Sequence, residues 1–156
     1  MFDPMRMHGI IRYVNRARIK DEDLAQHSYS VAYYCFQIAM EFCIPDDIRN
    51  EAIAMAIIHD IGECFTSDLP HDVKYENPEL KELCDKLEDK ENPTISGTMV
   101  KLADSMSVEA YAEREISLGN KTPIMQEILS NAKERIEKQE KLLIERMEEY
   151  DGNWKK

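Results

Sequence analysis

The stretch LAQHSYSVAYYCFQIAMEFC, residues 24–43, decides the fold prediction because its apolar side chains recur at helical spacing. Five side chains on one helical face are separated by steps of 4, 3, 4 and 4 residues: His27, Val31, Tyr34, Ile38 and Phe42. A stripe of this kind faces a core, so the sequence predicts a helix from about Leu24 to Cys43. The stripe also contains a histidine, which needs a hydrogen-bonding or metal partner where it is buried.

Three further segments of the chain show the same periodicity. The second stripe covers residues 48–59, and either Asp46 or Asp47 is the expected N-cap of its helix. A third helix is expected over about 94–118, where a Gly-Asn pair follows as a stop signal. The last helix is expected over about 122–149, with an apolar side and a densely charged, solvated side.

The composition favours a small helical protein. The chain has 156 residues, enough for a core without disulfides, and its 5 glycines and 6 prolines are too few for a turn-rich β protein. No apolar run approaches the roughly 20 residues that span a bilayer, and the first residues lack the pattern of a secretory signal peptide. We therefore expect a cytoplasmic protein with no membrane partner. For a viral chain, the expected location is the cytoplasm of the host.

The charge balance argues against a nucleic-acid polymer as partner. There are 20 Lys and Arg against 31 Asp and Glu, a net charge of −11, which repels a phosphate backbone. The first 20 residues nevertheless contain one acid, Asp3, and five basic residues: Arg6, Arg12, Arg16, Arg18 and Lys20. This basic segment could attract a small anion, and ordinary solvated charge is the alternative interpretation.

The four cysteines are predicted to be reduced thiols. Cys35, Cys43, Cys64 and Cys84 include no CxxC pair, and two of them lie in strongly apolar surroundings. Buried free thiols are the expected state, and a zinc or disulfide role is the alternative.

Two of the four histidines, His27 and His59, lie on stripes that face the core, and Asp60 follows the second directly. Glu63 comes four residues after His59, so it is expected on the same helix face. Imidazole with carboxylate oxygen is a ligand set for zinc, cobalt, manganese or iron rather than calcium. Asp104, in an otherwise apolar helical segment, is the natural fourth ligand. Taken singly, each histidine would be a hydrogen-bonded core residue and Asp104 a surface acid.

The order His27, His59-Asp60, Asp104 resembles the H…HD…D signature of the HD-domain metal-dependent phosphohydrolases. The flanking segments are more specific, and they resemble the bacterial 5′-deoxynucleotidase branch of that family. These segments are DLAQHS at 23–28, HDIGECFTSDLP at 59–70, VKY at 73–75 and VKLAD at 100–104. The resemblance extends from about Arg12 to Asp104.

This resemblance implies an all-α HD-domain helical bundle with one divalent metal site between helices. It implies one HD domain over residues 1–156, with a catalytic core at about 12–118 and a C-terminal helix at about 122–149. The implied ion is Co²⁺, Mn²⁺ or Zn²⁺, and the implied ligands are His27, His59, Asp60 and Asp104.

The family's other functional positions also carry over. Glu63 would sit beside the metal-bound water or the leaving oxygen, and Asp68 would line the site near the phosphate or the sugar. Arg12 lies 15 residues before His27, as the family's phosphate-binding arginine does, and Lys74 matches its basic residue in the VKY segment. Tyr13 stands where the family usually has a tryptophan that packs against the sugar. Arg6, outside the matched motif, is expected to be inert.

The implied activity is metal-dependent hydrolysis of the phosphate ester of a deoxynucleotide, foremost a deoxyribonucleoside 5′-monophosphate. Related small HD proteins instead release triphosphate from a deoxynucleoside triphosphate, including dATP, and motif order does not separate the two activities. A non-catalytic nucleotide-binding module is a third hypothesis, disfavoured because every motif position is filled. The resemblance also implies a homodimer or a higher homo-oligomer.

Overall fold

A computed structural model describes residues 2–66, 77–79, 82 and 94–150 of the chain. A short 3-10 helix, Pro4–Gly9, is followed by these α-helices: α1 Leu24–Glu41, α2 Asp46–Ile58, α3 Glu63–Thr66, α4 Ile95–Ser117 and α5 Pro123–Glu149. The described residues include no strand, only an isolated bridge between Ile11 and Asp23. The predicted all-α class is confirmed.

Helix α1 begins at the predicted residue and ends slightly earlier than predicted. Asp23 is the N-cap in a capping box: its side chain accepts from Gln26 N at 2.7 Å, and Asp23 N donates to Gln26 Oε1 at 3.1 Å. The helix ends at Glu41, two residues before the predicted end. Cys43 then adopts a left-handed backbone with φ 53°, which turns the chain toward Pro45.

The prediction of an aspartate N-cap for α2 is wrong. Pro45 is the N-cap residue, and no side chain caps this helix end. The Pro45 carbonyl accepts from Arg49 N at 2.9 Å, so Asp46 and Asp47 are already inside the first helical turn. There their negative charges favour the positive end of the helix dipole, and Asp46 also pairs with Arg49 at 2.9 Å.

Helices α4 and α5 form an antiparallel pair joined by a short turn, and their bounds agree with the prediction. Thr94 caps α4 by accepting from Gly97 N at 3.1 Å. The turn after α4 contains Gly119 with φ 109°, a conformation that suits glycine, and Pro123 starts α5 at its first position. In the described part of the chain, no helix combines the length and the apolar character needed to cross a membrane.

One main core lies among α1, α2, α4 and α5. The predicted stripes supply it, with fully buried side chains from each helix: Val31, Ala52, Leu102 and Leu143. Helix α4 contacts α1, α2 and α5, so it is the central element of the bundle. This arrangement places the buried polar residues of α1 and α4 opposite the end of α2.

The cysteines described by the structure are free thiols. Cys35 and Cys64 are buried, whereas Cys43 is exposed, and burial raises the pKa of Cys35 to about 12. Cys84 lies outside the described residues.

Candidate metal centre

Two imidazoles meet between α1 and the end of α2. His27 projects from α1 and is fully buried, and His59 is the C-cap residue of α2. Their ring centres are 5.3 Å apart. Asp60 follows in the turn and is 8% exposed, and ligand atoms of the three residues all lie within 4.8 Å of one another.

Asp104 reaches the same place from α4. Its Oδ1 lies 3.1 Å from His27 Nε2, and Asp60 Oδ2 lies 3.6 Å from that nitrogen and 3.1 Å from His59 Nε2. The structure therefore brings together all four residues that were predicted as ligands. Separations of 3.1–3.6 Å suit donor atoms that share one transition-metal ion, because Zn–N and Zn–O bonds of about 2.0–2.2 Å place tetrahedral ligands roughly 3.4 Å apart.

The hydrogen bonds of His59 direct a nitrogen lone pair at Asp60. Nδ1 donates to the Ala56 carbonyl at 2.7 Å, which in the neutral ring leaves Nε2 without a proton. Two acceptors, Nε2 and the Asp60 carboxylate, then face each other at 3.1 Å. Such a pair needs a positive charge. Although burial lowers the pKa of His59, the carboxylate of Asp60 raises it to about 9, so a cation is favoured at this position.

The second imidazole is held neutral. Burial and the adjacent Arg12 charge lower the pKa of His27, and its buried Nε2 lies 3.1 Å from Asp104 Oδ1. Burial raises the pKa of Asp104, but contact with His27 outweighs this and holds it well below its usual range. Buried imidazole nitrogens that face ionised carboxylates fit a divalent ion, and His27, His59, Asp60 and Asp104 are the residues that could hold it.

Arg12 lies directly behind His27. Its Nη1 is 2.7 Å from His27 Nδ1 and donates to Glu22 Oε2 at 2.8 Å. Burial opposes the charge of Arg12, but nearby groups, Tyr13 and Glu22 foremost, raise its pKa above the ordinary value. Because arginine only donates, His27 Nδ1 accepts in this arrangement. Binding of an ion at Nε2 would move the ring proton to Nδ1, where Ser107 Oγ, 3.2 Å away, can accept it, and would release Arg12 from the ring.

The expectation that Glu63 shares a helix face with His59 and Asp60 is wrong. Helix α2 ends at Ile58, and Glu63 is the first residue of α3. The chain turns between them, with Glu63 N donating to Asp60 O at 2.9 Å. Glu63 is partly buried and is joined to Asp60 by this turn rather than by a helix.

Tyr13 lies next to Arg12, whose guanidinium carbon is 5.1 Å from the Tyr13 ring centre. The backbone of Tyr13 is left-handed, with φ 58°, a strained conformation for an aromatic residue. Asp68 and Lys74, the other predicted catalytic and substrate-binding residues, lie outside the described residues.

Sequence reasoning missed several contacts of the site. Ser107 comes three residues after Asp104, so helical spacing was an available signal for it, whereas no local pattern marked Glu22. The inertness of Arg6 in catalysis stays a prediction, and its contacts were also missed: Arg6 Nη2 donates to the Cys64 carbonyl at 3.0 Å, and its guanidinium lies 5.0 Å from the Phe65 ring centre. It therefore contacts the segment that carries Glu63.

An all-α bundle that gathers two histidines and two aspartates from α1, the end of α2 and α4 has the architecture of an HD-domain protein. A model of the YfbR-like 5′-deoxynucleotidase family matches residues 4–99, and the chain belongs to this family. The matched region contains every candidate site residue except Asp104 on α4.

Two curated relatives carry the same activity in their names. The 5′-deoxynucleotidase PM0747 of Pasteurella multocida (strain Pm70) is 34% identical over 86 residues, which are 53% of this chain and 44% of that protein. The 5′-deoxynucleotidase plu3092 of Photorhabdus laumondii subsp. laumondii is 26% identical over 142 residues, 74% of this chain and 72% of that protein. The first of these matches spans less than half of the relative's length.

A solved structure supports the fold over nearly the whole chain. The HD phosphohydrolase DatZ of cyanophage S-2L, bound to dA and one catalytic Zn²⁺ ion, superposes with a TM-score of 0.65 at 19% identity. The superposition covers 93% of this chain and 92% of DatZ. The likeness shows that the two proteins share a fold.

Proposed function

We propose that the protein is a metal-dependent phosphohydrolase that converts deoxyribonucleoside 5′-monophosphates to deoxynucleosides and phosphate. Family membership and the names of the curated relatives support this reaction. The metal ligands in the proposal are His27, His59, Asp60 and Asp104, and the ion is Co²⁺, Mn²⁺ or Zn²⁺.

The observation that carries the proposal is the contact between Arg12 and His27. A guanidinium lies 2.7 Å from an imidazole whose opposite nitrogen faces two carboxylates. A fixed cation beside a cation-binding cluster suits a substrate with a doubly charged phosphate group, because both positive charges can contact its oxygens. On a surface with net charge −11, such a local arrangement is needed to hold an anion.

The role proposed for Arg12 rests on its contact with His27, and the roles proposed for Glu63, Asp68, Lys74 and Tyr13 rest on the family resemblance. The ion, when bound, lowers the pKa of water and polarises the phosphoryl oxygen. Arg12 donates to phosphate oxygens and neutralises charge that develops in the transition state, and Lys74 adds a second cation. Glu63 moves the proton of the nucleophile or of the leaving oxygen, a role that Asp68 shares. Tyr13 packs against the sugar.

The test is a substrate screen that records two products. Purified protein is offered deoxy- and ribonucleoside mono- and triphosphates with Co²⁺, Mn²⁺ or Zn²⁺, and phosphate and triphosphate release are both measured. Phosphate release from deoxynucleoside monophosphates is the expected result. Triphosphate release from deoxynucleoside triphosphates would replace the proposed reaction with the second hypothesis, and nucleotide binding without turnover would indicate a regulatory module.

The proposal also includes a single domain over residues 1–156 and a cytoplasmic location. We further propose that the chain self-associates. A row of exposed apolar side chains on α1 supports self-association: Tyr29, Tyr33, Phe36 and Met40, 73%, 52%, 43% and 60% exposed. They are separated by steps of 4, 3 and 4 residues, so they lie on one helix face. Light scattering on a sizing column is expected to give a multiple of the 18.2 kDa chain, and Tyr33→Glu to reduce it.

A further inference from the structure

We infer that Glu115, at the far end of α4, is a positioning residue that fixes residues 13–20, called here the 13–20 loop, and through it Tyr13 and Arg12. The inference rests on the proposed function, because it assigns the loop to substrate binding. Its basis is a buried carboxylate that the reaction does not use and that sequence analysis did not single out.

Glu115 is fully buried and accepts hydrogen bonds from three donors. Its two oxygens receive Ile19 N at 2.7 Å and Lys20 N at 2.8 Å, and Asn120 Nδ2 donates to the carboxylate at 2.8 Å. A buried carboxylate is tolerated when it is saturated with donors in this way. Two of the donors are backbone groups of the 13–20 loop, so the carboxylate ties the loop directly to α4.

Asn120 and Tyr111 hold the carbonyls of the same loop. Asn120 is 6% exposed, and its Nδ2 also donates to Ala17 O at 2.8 Å. Tyr111 OH donates to Lys20 O at 3.1 Å. One carboxylate, one amide and one hydroxyl therefore bind the backbone at residues 17, 19 and 20, which determines the path of the loop.

Tyr13, the first residue of the loop, is held by ring stacking and by the hydrogen bonds of the adjacent Arg12. The rings of Tyr13 and Tyr111 stack with centres 5.0 Å apart and planes at 14°. At the base, Arg12 N donates to Glu22 O at 2.9 Å, and Arg12 Nη1 binds the Glu22 side chain. Tyr13 lies between these two anchors with φ 58°, and a strained backbone persists only where its surroundings determine it from several sides.

The consequence is a substrate-binding segment that is preorganised before substrate arrives. Without the Glu115 contacts, the loop gains alternative conformations in which Tyr13 leaves the left-handed region. The apparent affinity of a ligand falls by the fraction of molecules that keep the competent conformation. Bond breaking is unaffected in the molecules that do bind, since the Glu115 carboxylate is hydrogen-bonded to residues 19, 20 and 120 and not to Arg12 or the histidines.

The test compares Glu115→Gln with Thr98→Val. Thr98 is buried on the same helix and donates to Thr94 O at 3.0 Å, remote from the 13–20 loop, so it controls for a lost buried hydrogen bond. For Glu115→Gln we expect KM for a deoxynucleoside monophosphate to rise about tenfold with kcat within about twofold, and Thr98→Val to leave both unchanged. Equal changes in KM for both variants would overturn the inference.

A second measurement does not depend on activity. Hydrogen exchange at the amides of Ile19 and Lys20 is expected to be about tenfold faster in Glu115→Gln and unchanged in Thr98→Val. Unchanged exchange in Glu115→Gln would overturn the inference, whereas a wild-type protein without hydrolysis would overturn the proposed function alone. If Glu115→Gln fails to fold, Asn120→Ser replaces it in the test. For Asn120→Ser we expect a rise in KM smaller than tenfold and faster exchange at the amides of Ile19 and Lys20. A wild-type KM together with wild-type exchange in Asn120→Ser would contradict the inference.

Discussion

Two regions along α4 hold acidic side chains in opposite ways. Around His27, the carboxylates of Asp60 and Asp104 face imidazole nitrogens at 3.1–3.6 Å. Around the 13–20 loop, the Glu115 carboxylate is saturated by two backbone amides and the Asn120 amide. The first region needs a positive charge to be stable, whereas the second is complete without any ligand.

This difference separates a binding site from a positioning device. A carboxylate placed opposite a nitrogen lone pair attracts a proton or a metal ion. A carboxylate surrounded by N–H donors attracts nothing further and instead fixes the groups that donate to it. Changes in the first region are therefore expected to affect chemistry, and changes in the second to affect binding and stability.

The largest effect is expected when a histidine of the metal centre is replaced. His59→Ala removes the nitrogen that faces Asp60, so we expect loss of the bound ion and a fall in turnover to background. His8→Ala is the control, because His8 is exposed and pairs with Asp23 outside the cluster. Elemental analysis and kcat measured on the same samples decide the outcome. An ion retained in His59→Ala would remove this residue from the ligand set.

Glu63 separates proton transfer from metal binding within the first region. Glu63→Ala is expected to keep the ion and the fold while lowering kcat by roughly 10²–10⁴, the usual range for a general acid–base group. Metal content, circular dichroism and kcat are the measurements. A variant that loses the ion would show that Glu63 is a ligand.

Arg12 lies where the two regions meet. Arg12→Ala is expected to raise KM and to lower kcat/KM by roughly 10–100-fold, because charge-assisted hydrogen bonds are worth about 1.5–3 kcal/mol. Arg12→Lys is expected to recover only part of this, since an ammonium lacks the guanidinium fork. Arg49→Ala is the control, because Arg49 pairs with Asp46 on α2. Equal effects at both positions would indicate diffuse attraction.

The smallest expected effect is the acid sensitivity that Glu115 confers. Burial alone would raise the pKa of Glu115, but donation by Asn120 and by the amides of Ile19 and Lys20 lowers it below the ordinary 4.5. A carboxylate with a lowered pKa stabilises the fold above its unfolded pKa, and this contribution is lost as pH falls through the folded value. The difference in unfolding free energy between wild type and Glu115→Gln is therefore expected to be constant from pH 7 to about 5 and to shrink below about pH 4.5.

Urea unfolding across this pH range is the measurement. Thr98→Val is again the control, with a difference from wild type that does not vary with pH. A Glu115→Gln difference that is also flat down to pH 3 would contradict the ionised, donor-saturated state of Glu115.

The helices could be predicted because their signals are local. The stripe from His27 to Phe42 and the Gly-Asn pair at 119–120 each act within a few residues, and the predicted bounds agree closely with the structure. The capping of α2 was predicted incorrectly because aspartates suit both the N-cap and the first turn, and Pro45 takes the cap position.

The residues of the candidate site also divide into those with a local sequence signal and those without one. His27, His59, Asp60 and Asp104 were found from periodicity and from the family's motif spacing, and the structure brings them together. The Glu63 placement failed because the chain leaves α2 before that residue. Glu115 could not be predicted, because its partners Ile19 and Lys20 are 96 and 95 residues away and no short pattern links them.

The central claim is that the histidine–aspartate cluster is the metal centre of a deoxynucleotide phosphohydrolase. The most direct measurement is phosphate release from a deoxynucleoside 5′-monophosphate while Co²⁺ is titrated into protein stripped by a chelator. We expect no hydrolysis at the start and a rise that saturates when one ion per chain is bound, with Mn²⁺ or Zn²⁺ also restoring activity. Full activity in protein shown by elemental analysis to be metal-free would contradict the claim.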